Sequence, residues 1–387
     1  MKRLLKSHIA LLAWRLALLY AVLAICRAIF WRYNYAGIGP LADAELPALA
    51  RGALLFDTVS VLYANALLIV LSLIPLHLRE RRWWQRMLYF YYVVVNALLV
   101  VAVNLGDAVY FRYTQKRFTA DEIFFADNDN SLQLVGKFMA ENIPLLLAGI
   151  GLIALLALAG GRKARPEPLC RRPLCYYGGG TVLLVVAALL SVAGMRGGVT
   201  RMTRPVTLSN ATLYASDNAR ANLILSNPFC ILRTVGSGGK ISYERYFAPE
   251  ELDGIYTPVH RPGSVGAAPL EGRNVVVFVM ESMSAEHSAL LHPELYADRQ
   301  VKGYTPFLDS LMQAGYCFER MYANGTRSIQ ALPAVLGSIP SFKTPFVLMP
   351  QALAPTRQLP RILRDKGYAT AFFCGSAAGS MGFGAYA

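Results

Sequence analysis

The stretch IALLAWRLALLYAVLAICRAIFW, residues 9–31, is apolar over nearly its whole length. A helix needs about 20 apolar residues to cross the hydrocarbon core of a bilayer. Only Arg15 and Arg27 interrupt the stretch, one toward each end, where a long side chain can reach the headgroups. The stretch is too long for the apolar core of a signal peptide, and no A-x-A site follows it cleanly. The sequence therefore predicts an uncleaved first membrane helix.

Four more apolar stretches of similar length follow, at residues 58–78, 86–105, 142–160 and 176–195. The chain of 387 residues is 55% hydrophobic and only 16% charged, whereas an average soluble domain is about 25% charged. The sequence predicts a transmembrane domain of five helices over residues 1–195.

Basic residues are concentrated before the first stretch and in two of the connections, where they favour the cytoplasmic side. They are Lys2, Arg3, Lys6, Arg79, Arg81, Arg82, Arg86, Arg162, Lys163, Arg165, Arg171 and Arg172. The N-terminus is therefore expected in the cytoplasm and everything after about residue 196 outside it, in a multi-pass protein of the inner (cytoplasmic) membrane. These flanks explain the net charge of +14, and no nucleic-acid partner is expected.

The six cysteines show no metal-ligand spacing and no CxxC pair. Cys170 and Cys175 fall in a basic loop that we expect in the cytoplasm. Cys317 and Cys374 fall in the part expected outside, where a disulfide and two separate thiols are both open alternatives.

The outer half divides into a linker, residues 196–272, and an α/β region, residues 273–387. Residues 216–235 have the periodicity of a helix with an apolar face. Either it lies on the outer leaflet or against the outer α/β domain, or it is an ordinary packed helix. The β-branched run NVVVFVME (274–281) predicts a strand buried on both faces of a parallel sheet. Further strands are predicted at 316–323 and 368–375. They alternate with helices at 305–315, from about Ser328, and at 357–367, the pattern of an α/β sheet.

Polar groups follow two of the predicted strands. Glu281 ends the first strand, and the segment NGTRS (324–328) follows the second and begins a helix. Ligands of such sheets bind where the carboxyl ends of strands meet. A helix N-terminus suits an anion such as phosphate, and Arg327 adds positive charge. Ser328 or Thr326 can be a nucleophile if a metal lowers its pKa.

Each of these residues also has a purely structural interpretation. Glu281 can cap the helix expected in SMSAEHSALL, and Ser328 or Thr326 can be an ordinary N-cap. His287 and His292 are more readily surface residues than metal ligands.

Five membrane helices followed by an extracytoplasmic α/β domain resemble the lipoteichoic acid synthase family of the alkaline phosphatase/sulfatase superfamily. NVVVFVMESMS resembles the strand whose last residue binds the metal. TPFLDSLMQAGYCFERMYANGTRSIQALPAVLGSIPS resembles the segment that carries the nucleophile, and DAVYFRYTQKRFTADEI (107–123) resembles the connection between the third and fourth helices.

The resemblance implies a role for each site residue. The family's nucleophile is usually Thr, and in the related phosphoethanolamine transferases it lies three residues after a Gly and five before a Pro. Gly325 and Pro333 keep both spacings and match Ser328 to this position, while Thr326 and Arg327 position or support it. Glu281 and Ser328 would be metal ligands, with Mn²⁺ expected and Zn²⁺ second. The implied reaction moves a phosphoglycerol-type group from a phospholipid, with phosphatidylglycerol favoured, to an envelope polymer, glycan or glycolipid through a phospho-enzyme.

The sequence also departs from the family pattern. It has no Asp-His dipeptide, and only about 114 residues follow Asn274, so we expect an incomplete sulfatase-type domain. Phosphoethanolamine transfer, sulfatase-like hydrolysis and a catalytically inactive truncated membrane protein are the alternatives. SIQAL does not match the C/S-x-P-x-R motif of true sulfatases. The donor, the acceptor, the metal and the oligomeric state stay open.

Overall fold

The computed structural model describes residues 7–123, 140–162, 166–168, 170, 172–200, 203, 205–236, 246–257, 272–298, 302–318, 321–375 and 382–386. The chain forms two compact units. The first contains residues 1–241 and 344–387, and the second contains residues 242–343. The units are defined by contacts, so the predicted sequence boundaries after residues 195 and 272 stay predictions.

The first unit is built on five apolar helices: α1 (His8–Tyr33), α2 (Leu46–Leu73), α3 (Arg82–Thr114), α4 (Ile143–Ala159) and α5 (Leu174–Arg196). Among the described residues, α1, α2, α3 and α5 are long and apolar enough to cross a bilayer, which indicates a multi-pass membrane protein. α4 has 17 residues and is shorter than the other four. The structure therefore shows four of the five predicted spans.

The helix boundaries follow from capping and pairing that hydropathy does not detect. The Ser7 side chain accepts a hydrogen bond from the Ala10 amide and begins α1. α2 begins at Leu46, well before residue 58, because Pro47 suits a first turn and Asp57 is paired inside the bundle. α3 contains a π-helical turn, Ala97–Ala102.

α4 runs antiparallel to α1 along most of its length. Its C-terminal end accepts hydrogen bonds on Ala159 O from the Trp14 indole, at 2.8 Å, and on Gly160 O from Arg15, at 3.0 Å. At the other end, the Tyr33 hydroxyl donates to Asn142 Oδ1 at 2.6 Å. The part of α1 between these contacts is about 28 Å long at about 1.5 Å per residue.

Residues 216–235 form two helices, α6 (Asn218–Ile224) and α7 (Asn227–Thr234), and not the single predicted helix. Pro228 explains the break, because a proline has no N–H to donate to the carbonyl four residues earlier, that of Ile224, and its ring clashes with that carbonyl. Residues 221–231 are all buried. Of the two interpretations left open, the structure has the helix packed against its neighbours, on α1, α2 and α3.

An arginine of α1 holds the break between α6 and α7. The Arg27 guanidinium donates to both Asp57 carboxylate oxygens, at 2.9 and 2.6 Å. It also donates to the carbonyl oxygens of Leu223, at 3.0 Å, and Ile224, at 3.1 Å.

A second arginine completes this arrangement, which we call the carbonyl clamp (Arg27, Asp57, Arg117 and Asp107). Arg117 donates to the Leu225 carbonyl and lies 2.9 Å from the Asp107 carboxylate. The Arg117 and Asp107 side chains are 4% and 0% exposed. A buried charge needs a charged partner, and each arginine of the clamp has an aspartate.

The predicted strands at 274–281, 316–323 and 368–375 are not formed: none of their described residues lies in a strand. A strand makes its hydrogen bonds to a neighbouring strand, so an apolar run cannot become a sheet by itself. Val276 and Phe278 are instead 73% and 84% exposed.

The predicted helices of the outer half are present as α8 (Pro306–Ala314), α9 (Ala331–Gly337) and α10 (Leu359–Asp365). Thr305 and Gly315 flank α8 as expected. The remaining short helices are Tyr35–Ile38, His77–Glu80, Ala120–Ile123, Leu208–Tyr214, Pro249–Ile255, Ala285–His287, Pro293–Leu295, Ser328–Gln330, Phe346–Leu348, Pro350–Leu353 and Phe383–Tyr386.

Candidate active site

The structure brings Glu281 and Ser328 into contact within the second unit. The Ser328 hydroxyl donates a hydrogen bond to Glu281 Oε1 at 2.8 Å, across 47 positions of sequence. Both side chains are exposed to solvent, so a substrate can reach them.

Ser328 is the first residue of the helical turn Ser328–Gln330, which leads directly into α9. Arg327 occupies the N-cap position, and its backbone N–H donates to Gln330 Oε1 at 3.0 Å. The Ser328 hydroxyl therefore does not act as the N-cap. It is directed to Glu281 instead.

Gly325 is required by close packing of the turn before the helix. A Cβ at this position would lie 2.6 Å from Gln330 Oε1 and would also overlap the Ser341 hydroxyl. The neighbouring Asn324 side chain accepts a hydrogen bond from the Ser341 backbone N–H. The turn NGTRS is thus held against residue 341, and Thr326 and Arg327 are exposed on it.

Glu281 lies at a sharp turn. The next residue, Ser282, has a φ of 56°, and left-handed backbone is unfavourable for a residue other than glycine. The short helix Ala285–His287 is capped by Ser284, whose hydroxyl accepts from the Glu286 amide at 3.4 Å. Ser284, and not Glu281, therefore caps this helix.

The chain after Glu281 is fixed by Asp309 of α8. Its carboxylate accepts hydrogen bonds from the Ser288 hydroxyl at 2.6 Å, the Thr305 hydroxyl at 3.1 Å and the amides of Ala289 and Leu290. The bond from Ser288 is the main reason that the pKa of Asp309 is below its ordinary value. The sequence pattern did not predict this network. The feature that could have indicated it is the acidic residue Asp309 in the first turn of a predicted helix.

The two histidines of this region have local partners. His287 Nδ1 lies 3.1 Å from the Ser284 carbonyl, and His292 Nδ1 lies 2.7 Å from Glu294 Oε1. Both are half-buried near the protein surface. In the part of the chain that the structure describes, no three His, Cys, Asp or Glu side chains are grouped to hold a metal.

Glu281 and Ser328 fit part of a metal-binding set. Their oxygens are 2.8 Å apart, close enough to contact one divalent ion, and carboxylate oxygens suit Mg²⁺, Mn²⁺ and Zn²⁺. Two oxygens are fewer than the four or more ligands that such ions take. The six cysteines form no disulfide, so Cys317 and Cys374 are not joined.

Comparison with protein families gives one match, to the family model described as Sulfatase, over residues 273–383. Neither the curated proteins nor the solved structures include a match to the chain. The matched range contains both Glu281 and Ser328, and enzymes of this superfamily are typically metal-dependent. Residues 273–383 are thus part of a sulfatase-family domain of the alkaline phosphatase superfamily.

Proposed function

We propose that the protein is a membrane-bound, metal-dependent phosphotransferase of the lipoteichoic acid synthase type. It would move a phosphoglycerol-type group from phosphatidylglycerol to an envelope polymer, glycan or glycolipid. The observation that carries this proposal is the 2.8 Å hydrogen bond between Ser328 and Glu281 within a sulfatase-family domain. A candidate nucleophile and a carboxylate meet there, and the same chain carries membrane helices beside which a lipid donor is at hand.

The proposed reaction has two displacements at phosphorus. The Ser328 oxygen forms a bond to the lipid phosphorus, the bond from phosphorus to the diacylglycerol oxygen breaks, and the Ser328 proton leaves with diacylglycerol. The acceptor oxygen then forms a bond to the phosphorus of the glycerophosphoryl-serine, the bond from phosphorus to the Ser328 oxygen breaks, and the acceptor's proton returns to Ser328. Glu281 orients the attacking oxygen through its hydrogen bond, and Arg327 and Thr326 support the phosphate.

Glu281 and Ser328 are the residues that would hold a divalent ion, with Mn²⁺ expected and Zn²⁺ second. Such an ion supplies Lewis-acid chemistry by lowering the pKa of the serine hydroxyl and offsetting phosphate charge.

The proposed topology has five membrane spans, a cytoplasmic N-terminus and an extracytoplasmic sulfatase-family domain. The contacts of α4 support a fifth span, because they extend along about 28 Å of α1, close to the roughly 30 Å of a hydrocarbon core. The basic residues of the connections support the orientation.

Ser328→Ala tests the proposal. The full chain in nanodiscs containing phosphatidylglycerol with a labelled headgroup should form a labelled glycerophosphoserine at Ser328, read by mass spectrometry. We expect Ser328→Ala to lose the label completely. Ser328→Thr should retain it, because threonine also offers a hydroxyl. Thr326→Ala is the matched hydroxyl control and should still be labelled at Ser328.

Labelling that persists undiminished in Ser328→Ala would refute the assignment of the nucleophile. Label from phosphatidylethanolamine and not from phosphatidylglycerol would instead identify a phosphoethanolamine transferase. A purified chain with neither label nor tightly bound Mn²⁺ or Zn²⁺ would be an inactive membrane protein.

A further inference from the structure

The first unit contains a cavity of about 300 Å³ that has no part in the candidate active site. It lies among the beginning of α1, the end of α2 and the beginning of α5. Its lining consists of two basic side chains, one acidic, two thiols, one phenol and several apolar or small residues: His8, Arg79, Glu167, Cys170, Cys175, Tyr176, Ile9, Leu73, Leu183, Gly179 and Gly180. A volume of this size is typical of small-molecule sites.

Two buried polar groups in this lining lack partners. His8 is 6% exposed and Arg79 is 7% exposed. His8 Nε2 and Arg79 Nε make no hydrogen bond to any residue that the structure describes. Buried polar groups are normally hydrogen-bonded to protein, ordered water or an ion, so these two groups call for a further partner.

Arg79 is held in place by its other contacts. Its Nη1 donates to the Leu73 carbonyl at 3.4 Å, and its guanidinium carbon lies 4.6 Å from the centre of the Tyr176 ring. The Tyr176 hydroxyl donates to Glu80 Oε1 at 2.9 Å. The guanidinium is therefore oriented in advance within the lining of the cavity.

The chemistry of the lining indicates an anionic ligand that also has an apolar part. A guanidinium and an imidazole N–H are donors suited to phosphate oxygens. Ile9, Leu73 and Leu183 belong to membrane-spanning helices. A cavity that combines such donors with apolar side chains at the ends of these helices suits a ligand with a charged headgroup and an apolar tail.

We propose that this cavity binds the phosphodiester headgroup of an anionic phospholipid, taken from the leaflet that contacts the N-terminal end of α1. The Arg79 guanidinium and the His8 imidazole supply the donors to the phosphate oxygens. Glu167 accepts a hydrogen bond from a headgroup hydroxyl, and the acyl chains leave along Ile9 and Leu183. This site is separate from the donor lipid of the transfer reaction and does not rest on that reaction.

The two thiols of the lining provide the readout. Cys170 and Cys175 hydrogen-bond to each other, and this bond lowers the pKa of Cys170 below its ordinary value. Cys26 and Cys230 are buried, whereas Cys317 and Cys374 are exposed. A chain with Cys317→Ser and Cys374→Ser therefore has its reactive thiols at the cavity.

The experiment measures alkylation of Cys170 and Cys175 by neutral N-ethylmaleimide in the full chain, using mass spectrometry. Nanodiscs of phosphatidylcholine alone are compared with nanodiscs containing phosphatidylglycerol. We expect phosphatidylglycerol to slow alkylation at least fivefold. Arg79→Met should remove this slowing, and Arg82→Met should keep it. Arg82 is the matched control because it is basic, close in sequence, exposed and outside the lining.

Two further arms identify the ligand. Glycerol 3-phosphate added to phosphatidylcholine nanodiscs should slow alkylation if the phosphate alone is recognised, and a requirement for lipid would show that the acyl chains contribute. Equal rates in all nanodiscs and with glycerol 3-phosphate would overturn the proposal, as would full slowing in Arg79→Met.

Native mass spectrometry provides a measurement independent of thiol chemistry. The wild type and Arg82→Met should retain one more phosphatidylglycerol than Arg79→Met and His8→Gln. Equal retention by all four proteins would contradict the site. Ser328→Ala should keep both the bound lipid and the slowed alkylation, so failure of the transferase proposal and failure of this one are distinguishable.

Discussion

At the scale of single residues, the order of the predicted strands and helices indicated that Ser328 and Glu281 lie close together, although it gave no distance between them. Both follow apolar runs, and parallel strands would have placed them at one edge. The structure joins them at 2.8 Å without a sheet, through the turn at Ser282 and the packing of Gly325. Their assignment as metal ligand and nucleophile stays a prediction.

The carbonyl clamp was not predictable, because the sequence pattern placed Arg27 near the lipid headgroups and Asp107 in the connection between the third and fourth helices. Each arginine forms an ion pair with an aspartate from another part of the chain. Such pairing depends on tertiary contacts between segments, which hydropathy and spacing do not encode.

Breaking the inner pair of the clamp should destabilise the membrane half strongly. Arg117→Met leaves Asp107, which is 0% exposed, as an uncompensated charge. We expect a loss of about 3–5 kcal/mol, seen as a lower midpoint of thermal unfolding in detergent. Arg51→Met, at an exposed arginine of α2, is the control and should change stability by less than about 1 kcal/mol. The double change Arg117→Met with Asp107→Leu should recover part of the loss, and no recovery would mean that the charge is not its cause.

The network around Asp309 predicts a dependence on pH. The pKa of Asp309 is lowered first by the hydrogen bond from Ser288, then opposed by desolvation and supported by Thr305 and two amides. A lowered carboxyl pKa stabilises the fold above the ordinary value of 3.8, and this contribution is lost as pH falls through the lowered pKa.

We therefore expect the amides of Ala289 and Leu290 to lose protection from hydrogen exchange as pH falls below 3.8, after correction for intrinsic rates. Asp309→Asn should have low protection at neutral pH and little further change in acid. Equal protection of the wild type at pH 6 and pH 2 would show that the carboxylate does not hold this segment.

At the scale of elements, apolar stretches predicted the helices well and the strands poorly. A helix makes its hydrogen bonds within one segment, so apolar stretches predict helices closely. α1, α3 and α5 cover their predicted ranges and extend them by only a few residues, except at the C-terminal end of α3. The early start of α2 was missed because its first turns contain Arg51 and Asp57. Strand 274–281 depends on a partner elsewhere in the chain, which periodicity cannot supply.

Helix packing gives a prediction about glycine in α2. A Cβ at Gly52 would lie 2.8 Å from Tyr214 Cβ and 3.1 Å from Ile224 Cγ2. Gly52→Ala should therefore cost about 1–3 kcal/mol through overpacking. Gly106 of α3 has nothing within 4 Å of such a Cβ, so Gly106→Ala should be neutral or should stabilise by up to about 1 kcal/mol. Thermal unfolding in detergent compares the two, and equal midpoints would contradict close packing at Gly52.

At the scale of the whole molecule, the number of spans determines the side of the sulfatase-family domain. With five spans and a cytoplasmic N-terminus, the end of α3 and residue 317 are on the same, outer side. With four spans and α4 not crossing, residue 317 is on the inner side. Composition predicted five spans, and the structure gives four long helices and one of 17 residues.

Labelling of intact cells with a membrane-impermeant maleimide tests this topology. Three chains, each with one reporter, are compared: Tyr113→Cys, native Cys317 and Arg81→Cys, with the remaining cysteines replaced by alanine. We expect the first two to be labelled in intact cells and Arg81→Cys only after permeabilisation. Labelling at residue 113 without labelling at 317 would mean that α4 does not cross.

The carbonyl clamp also constrains the order of events during synthesis. Leu223 follows Arg27 by 196 residues, and Leu225 follows Arg117 by 108. Each arginine therefore leaves the ribosome long before its carbonyl partners exist, and Arg27 first meets Asp57, 30 residues later. The clamp can be completed only after all five helices have been made and residues 223–225 have returned to α1 and α3. A nascent chain that stalls before residue 225 is a folding intermediate with two incompletely bonded arginines.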